Sequence, residues 1–114
     1  MKHLKTFENY ISIHGYDYTE AELDYIKNKS KFQFDDYVKP NVDIEIKQGT
    51  VCKIIKITSH NYTNYSGIDD SFFSYKIQDN KGNSDFFNEK FLDFATSEEI
   101  KQFKIEETIN KYNL

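Results

Sequence analysis

The stretch TVCKIIKIT, residues 50–58, carries the strongest strand signal of the sequence and decides the fold class. The apolar side chains of Val51, Ile55 and Ile57 share one parity, which is typical of the buried face of a strand. Ile54 has the opposite parity, so we expect both faces of this strand to be partly covered. The sequence therefore predicts a strand of a small sheet, with Val51, Ile55 and Ile57 directed to the core.

Strand patterns continue on both sides of this stretch. A period of two begins at Phe32, and that strand ends at Pro40, which has no amide hydrogen for further ladder pairing. Residues 73–77 alternate between apolar and polar side chains, and the turn-forming run 79–82 leads to a hairpin partner at 85–88. A further aromatic segment completes a predicted sheet of four to five strands.

Two short helices are predicted before the first of these strands. Apolar side chains at helical spacing mark residues 2–12, and Gly15 ends this element. The second helix begins at a capping box, with Thr19 as the N-cap and Glu22 three residues later. Together they fill residues 1–30, which are too few to fold alone, so we expect them to pack on the rest of the domain.

A third helix follows the sheet and begins at a second capping box, formed by Thr96 and Glu99. Its apolar residues fall on two faces: Ile100 and Phe103 on one, and Ile105, Ile109 and Tyr112 on the other. A helix with two apolar faces either contacts something besides the core or bends near its middle.

This order of elements predicts an α+β fold in which a small antiparallel β-barrel is the most economical closure. A chain of 114 residues is one domain. Within it, residues 1–30 are a helical segment, and residues 31–114 form the barrel with its C-terminal helix. The expected core residues are Tyr37, Val51, Ile55, Ile57, Phe73, Tyr75, Ile77 and Phe91.

Composition indicates a soluble globular domain, with 38% hydrophobic and 30% charged residues. No apolar run reaches the length of a membrane span and the N-terminus has no signal-peptide pattern, so we predict a cytoplasmic protein. The lone Cys52 excludes an internal disulfide framework and an all-cysteine zinc site.

Charge argues against nucleic acid as the first choice of partner. All 15 basic residues are lysine and the formal net charge is −4, so the bidentate contacts of arginine are missing and a phosphate backbone is repelled overall. Nucleic-acid binding would require lysines such as Lys53, Lys56 and Lys76 on one face, beside exposed aromatic side chains.

No pattern of catalytic or metal-ligating residues stands out. His3, His14 and His60 lack the spacing of metal ligands, and we expect them to be exposed. Cys52 lies in the most apolar strand, where a free thiol is commonly a small hydrophobic residue rather than a nucleophile. We therefore predict a non-enzymatic protein with no metal and no cofactor.

The segment 59–71 is predicted to be a loop that is long for a compact barrel, and long loops are often functional. Tyrosine is a common anchor of protein interfaces, and adjacent carboxylates steer a basic partner. The candidate partner-binding residues are Tyr62, Tyr65, Asp69 and Asp70. The alternative is a tolerated surface loop without a partner.

Four local patterns are similar to small accessory proteins of tailed phages and related mobile elements, which contain an SH3-like barrel. They occur in order at 34–38 (FDDYV), 49–54 (GTVCKI), 75–79 (YKIQD) and 95–100 (ATSEEI). Asp35 departs from the glycine usual in such proteins, and Ser97 stands where proline is often found.

The resemblance, which covers residues 32–104, implies an SH3-like β-barrel and a non-enzymatic protein that acts through protein–protein interaction. The implied partner is a host protein, with a basic surface to match the acidic chain, inside an infected or host bacterium. The class includes inhibitors of host defence such as anti-CRISPR proteins. Two alternatives are a nucleic-acid-binding barrel and a structural protein packaged in the virion.

Overall fold

The structure is a computed structural model that describes residues 10–43, 45–63 and 69–112, without the side chains of 61–63 and 69–71. A short 3-10 turn, Glu89–Phe91, joins the last two strands. The elements are β1 (Ile11–Ile13), β2 (Tyr16–Tyr18), α1 (Glu20–Lys29), β3 (Tyr37–Pro40), β4 (Cys52–Thr63), β5 (Asp69–Gln78), β6 (Ser84–Asn88), β7 (Leu92–Phe94) and α2 (Ser97–Tyr112). The α+β class is confirmed.

Five antiparallel strands form one sheet in the order β6-β5-β4-β3-β7. The last strand, β7, pairs with β3, where Val38 lies opposite Phe94, and not with β6. The sheet is therefore open, with β6 and β7 at its edges, and the prediction of a closed SH3-like barrel is wrong. Its inner face is covered by other parts of the chain, chiefly Tyr18 of β2, Ile26 of α1 and Phe32.

The N-terminal elements differ from the prediction. Ile11–Ile13 is a strand that pairs with β2 in a separate two-stranded sheet, so the predicted helix does not extend to Ser12. His14 and Gly15 both have positive φ, 52° and 84°, as a tight two-residue hairpin turn requires. Residues 2–9 of the predicted helix lie outside the described residues, and the described part of the chain contains two α-helices rather than three.

Both capping boxes are confirmed. The amide of Glu22 donates to Thr19 Oγ1 at 3.1 Å, and the amide of Thr19 donates back to the Glu22 carboxylate at 2.8 Å. Thr96 and Glu99 repeat this pattern at the start of α2, at 2.8 and 3.2 Å. These reciprocal bonds satisfy amides that a helix start leaves without intrahelical partners.

The core lies between the inner face of the sheet and the segment that contains β2 and α1. Its buried residues are Tyr18, Ile26, Phe32, Val38, Ile46, Cys52, Ile54, Ile57, Phe73, Tyr75, Ile77, Phe87 and Leu92. Burial is confirmed for four predicted core residues, Ile57, Phe73, Tyr75 and Ile77. The prediction of burial is wrong for the other four residues, Tyr37, Val51, Ile55 and Phe91, which are only half-buried.

A β-bulge in β4 explains much of this error. The register passes from Ile54 opposite Ile77 directly to Lys56 opposite Lys76, which leaves Ile55 as an extra residue. An extra residue reverses the parity of everything beyond it. Ile54 and Ile57 consequently both face the core, although three positions separate them.

One buried polar network crosses the core. The Tyr75 hydroxyl donates to the Glu89 carboxylate and lies 2.6 Å from Ser30 Oγ, just after α1. The amide of Phe32 donates to the same hydroxyl at 3.5 Å. Burial, helped by the bond to Glu89, raises the pKa of Tyr75, so the hydroxyl stays protonated and joins three elements.

The C-terminal helix α2 packs on the outer face of the sheet, opposite the core, at the β3 side. Phe103 is buried against Tyr37, with ring centroids 5.2 Å apart, and Lys39 pairs with Glu99 at 3.0 Å. The predicted division of the apolar side chains is confirmed, since Ile105, Ile109 and Tyr112 are exposed on another side of this helix.

Candidate functional site on the outer face of the sheet

The outer face of β4, β5 and β6 is left uncovered by α2 and carries a group of cations and rings. In one cross-strand row, Lys56 lies opposite Lys76, and Lys76 lies opposite Phe86. Lys53 occupies a neighbouring row on the same face. Together with one ring from the β1–β2 hairpin they form the lysine–aromatic face, defined as Tyr16, Lys53, Lys56, Lys76 and Phe86.

The bulge is what places two of these lysines on the same side. Lys53 and Lys56 are three positions apart, and in a regular strand such residues point to opposite faces. The extra residue, Ile55, lies between them, so both lysine side chains face outward. The chain thus meets the condition that a nucleic-acid-binding sheet was predicted to require, with Lys53, Lys56 and Lys76 on one face.

Tyr16 reaches this face because its hairpin is anchored in the core. The neighbouring Tyr18 is buried, and its hydroxyl accepts a hydrogen bond from the amide of Ile57 at 3.2 Å. From this anchored hairpin, Tyr16 accepts a hydrogen bond from Lys76 Nζ at 2.9 Å. That bond, with the nearby positive charges of Lys76 and Lys56, lowers the pKa of Tyr16.

The two central lysines lie between two aromatic rings. Lys56 Nζ is 4.6 Å from the ring centroid of Tyr16 and 5.8 Å from that of Phe86. Lys76 Nζ is 5.6 Å from both centroids. These are cation–π distances, and they partly offset the repulsion between like charges placed directly opposite each other in a ladder.

No carboxylate forms an ion pair with these lysines within the described residues. The two ion pairs found there are His14–Asp35 and Lys39–Glu99. The three rows that cross β4, β5 and β6 at this position contain no acidic residue; they are Lys53–Gln78–Ser84, Lys56–Lys76–Phe86 and Thr58–Ser74–Asn88. Asp17 and Glu22 line a cleft together with Tyr16 and Lys56, so the three lysines of the face lie beside two acids and outnumber them by one.

The face continues at both ends. Towards α2, Lys53 Nζ and Lys104 Nζ lie 5.8 and 5.6 Å from the ring centroid of Tyr37. Towards the far end of the hairpin, the His60 ring stacks on Phe72, with centroids 4.7 Å apart and planes at 15°. Aromatic rings therefore lie at both ends of the lysine–aromatic face, with the polar row Thr58–Ser74–Asn88 between Lys56 and His60.

The predicted partner-binding residues lie mostly beyond what the structure describes. Tyr65 is outside the described residues, and so are the side chains of Tyr62, Asp69 and Asp70. Their backbones show that a loop over 59–71 is wrong, because β4 continues to Thr63 and β5 begins at Asp69, with Tyr62 opposite Asp70. The role of these residues in binding a partner stays a prediction.

The other reactive or metal-ligating groups among the described residues form no candidate catalytic or metal site. Cys52 is fully buried, and burial raises the pKa of its thiol to about 12, which leaves it protonated. The described residues contain no group of three metal-ligating side chains. A cleft of about 760 Å³ between α2 and the β5–β6 turn is lined by mixed charges, including Lys47, Asp79 and Glu106.

Comparison of the chain with protein-family models, curated proteins and solved structures gives no match. The resemblance to phage accessory proteins is therefore unsupported by these comparisons and stays a hypothesis. Neither of the two helices in the described part of the chain has the length and apolar character of a membrane span.

Proposed function

We propose that this chain is a non-catalytic binding protein that takes an anionic ligand on the lysine–aromatic face. The observation that carries the proposal is the pair Lys56 and Lys76, which lie directly opposite each other in the ladder and form no ion pair with a carboxylate of the described residues. A bound anion would relieve the repulsion within this pair and gain charge-assisted hydrogen bonds from both ammonium groups.

The acidic balance of the whole chain does not oppose this proposal. Exposed charges interact mainly within the Debye length, about 8 Å at physiological salt. Glu98 and Glu107 belong to α2, which packs on Tyr37 of β3, whereas Lys56 and Lys76 lie on β4 and β5. Two acids of the N-terminal elements, Asp17 and Glu22, do line a cleft with Lys56, but the three lysines of the face outnumber them. A ligand close to these lysines therefore experiences the local positive charge first.

The anionic ligand proposed here differs from the partner that the sequence alone favours. The sequence predicts a basic host protein as the partner and places it at the β4–β5 connection, a hypothesis that the described side chains do not address. The alternative predicted from the sequence is a nucleic-acid-binding β-barrel; the sheet is open, but the arrangement of Lys53, Lys56 and Lys76 on one face supports binding of an anion there. Such ligands are abundant in the cytoplasm, so the proposal keeps the cytoplasmic location predicted from the sequence.

A binding assay with a labelled polyanion tests the proposal. Inorganic polyphosphate is titrated at low and at about 0.15 M salt against the wild-type chain and the triple variant Lys53→Gln, Lys56→Gln and Lys76→Gln. The matched control replaces three other exposed lysines by Gln, namely Lys47, Lys81 and Lys101. Both variants lose the same net charge, so any difference between them reports on position.

We expect salt-sensitive binding that the face variant weakens at least tenfold and the control variant changes by less than about twofold. Circular dichroism melting curves establish that both variants are folded. Equal losses in the two variants, or no polyphosphate binding by the folded wild type at low salt, would contradict the proposal.

A further inference from the structure

Resting on the proposed function, the geometry points to single-stranded nucleic acid as the anionic ligand. Its phosphates would lie on Lys53, Lys56 and Lys76, and one base would stack on Phe86. The inference depends on rings and cations sharing one surface, because sequence-tolerant single-strand binders combine a basic track for the backbone with aromatic platforms for the bases.

Phe86 has the position that a stacking platform requires. It lies on β6, an edge strand, directly opposite Lys76 in the ladder, and 51% of its surface is exposed. Its ring borders Lys56 and Lys76 at 5.8 and 5.6 Å, so a base on the ring would bring its phosphate close to both ammonium groups. A ligand with charge but no ring would leave this side chain unused.

A second ring lies farther along the same face. Phe72 is 37% exposed and stacks on His60. From Lys53 to His60, β4 extends roughly 20 Å at about 3.3 Å per residue. This length suits a short single-stranded site, near the lower end of about 4 to 16 nucleotides that single-strand binding folds cover. The face therefore has room for a few consecutive nucleotides.

The shape of the face favours a single strand over a duplex. Base pairs in a duplex are read by a helix or a narrow β-ribbon that enters the major groove, about 12 Å wide. The lysine–aromatic face is instead the broad side of a three-stranded region of the sheet. On such a surface a duplex offers its phosphates alone, whereas a single strand also offers its bases.

Fluorescence anisotropy with four probes tests the inference on the full chain. The probes are a short oligothymidine, the matching oligouridine, a hairpin duplex and inorganic polyphosphate, which is the polyanion without rings. Phe86→Leu removes the ring and keeps an apolar side chain. Phe94→Leu is the matched control, since Phe94 is 53% exposed but lies at the opposite edge of the sheet, against Phe32.

We expect oligothymidine to bind more tightly than the duplex, with a salt slope of about −2 for three lysine contacts. Phe86→Leu should weaken oligothymidine binding about tenfold, which is the contribution of one stacked base, and leave polyphosphate binding unchanged. Phe94→Leu should change neither by more than about twofold, and melting curves verify that both variants are folded. Oligothymidine and oligouridine differ in the sugar and in the C5-methyl group of the base, so their comparison ranks the DNA probe against the RNA probe as whole ligands.

The outcomes separate this inference from the function on which it rests. If polyphosphate binds through the three lysines but Phe86→Leu leaves oligothymidine binding unchanged, the inference is overturned and the anion-binding function stands. Duplex binding as tight as single-strand binding overturns it as well. If the folded chain binds none of the four probes at low salt, both proposals are wrong.

Discussion

The two faces of the five-stranded sheet are built from the same strands and differ in almost every respect. On the inner face, Ile54, Ile57 and Ile77 are buried and aligned with the rings of Phe73 and Tyr75. On the outer face, the alternating positions include Lys56 and Lys76, which are half-buried and place like charges directly opposite each other. Burial dictates the chemistry of the first face, whereas nothing in the packing requires lysines on the second.

This contrast separates stability from binding within single strands. A substitution on the inner face should affect folding, and one on the outer face should affect ligands. Neighbouring positions of β4, one from each face, allow each expectation to be tested with a control one residue away.

The largest expected contrast concerns thiol reactivity at two adjacent positions. Cys52 on the inner face has a pKa raised by burial from 9.0 to about 12. At mildly alkaline pH its thiolate should be about a thousandfold scarcer than in the unfolded chain. A thiol-exchange reagent should therefore react slowly with the folded protein and rapidly in urea. Lys53→Cys is the control, and its added, outward-facing thiol should react at once.

The raised pKa of Cys52 also determines the direction in which the free energy of unfolding changes with pH. The folded chain holds this proton to higher pH than the unfolded chain does, so Cys52 should lower the free energy of unfolding as pH rises from 9.0 to about 12. Below that range it has no effect. A Cys52→Ala variant whose stability falls as steeply over this range as that of the wild type would contradict this assignment.

Next in size is the loss of a core side chain beside the bulge. Ile54→Ala should lower the free energy of unfolding by about 2–5 kcal/mol, because Ile54 is fully buried and its removal leaves a cavity. Ile55→Ala, at the half-buried bulge position, should cost about 1 kcal/mol. Urea unfolding of the two variants measures both values. Equal losses of stability in the two variants would mean that Ile55 is packed in the core as tightly as Ile54, and would contradict the position of the bulge.

A smaller effect is expected for two tyrosine hydroxyls. Tyr75→Phe removes the buried hydroxyl that connects Ser30, Phe32 and Glu89, and should cost about 1–3 kcal/mol because these groups lose a shared partner. Tyr16→Phe on the outer face should stay within about 0.5 kcal/mol. If thermal unfolding ranks the two variants the other way, the network around Tyr75 is not a stabilising one.

The smallest effect is expected for a lysine of the outer face. Lys56→Gln removes one of two opposing like charges and also a contact with the Tyr16 ring, so stability should change by less than about 0.5 kcal/mol in either direction. Lys39→Gln, which breaks the ion pair with Glu99, should lower stability by up to about 1 kcal/mol. A clear destabilisation by Lys56→Gln would mean that the lysine–aromatic face contributes to the stability of the fold.

Local signals in the sequence were sufficient for the helix starts and for the pairing of β5 with β6. Capping boxes and a turn-forming run act over three or four residues, so a single sequence reveals them. Whether the sheet is open or closed depends on which strand pairs with β7. It pairs with β3 and not with β6, and this long-range pairing is not determined by any local sequence pattern. The barrel was predicted from economy of closure, and this is where the prediction was wrong.

The candidate site was predictable only as a set of lysines. The sequence indicates Lys53, Lys56 and Lys76 as the lysines that a nucleic-acid-binding barrel would need beside exposed aromatic side chains, but it does not identify Tyr16 and Phe86 as those aromatic side chains. Tyr16 lies between the two helices predicted from the sequence and reaches the face through a hairpin that no local pattern indicates. Phe86 belongs to the predicted hairpin partner 85–88, for which the sequence does not indicate which side chains face outward. One signal was present: the adjacent Ile54 and Ile55 interrupt an otherwise regular alternation and mark a bulge.

In terms of insertions and deletions, that bulge makes Ile55 a residue whose deletion leaves its neighbours in β4 on their present sides of the sheet. Without it, the stretch reads Cys-Lys-Ile-Lys-Ile, a strict alternation in which each remaining side chain keeps its present side of the sheet. A deletion elsewhere in a strand turns the following residues to the wrong face and is removed by selection. Here it restores a regular ladder, so loss of this one codon keeps Ile54 and Ile57 directed to the core and Lys53 and Lys56 on the outer face.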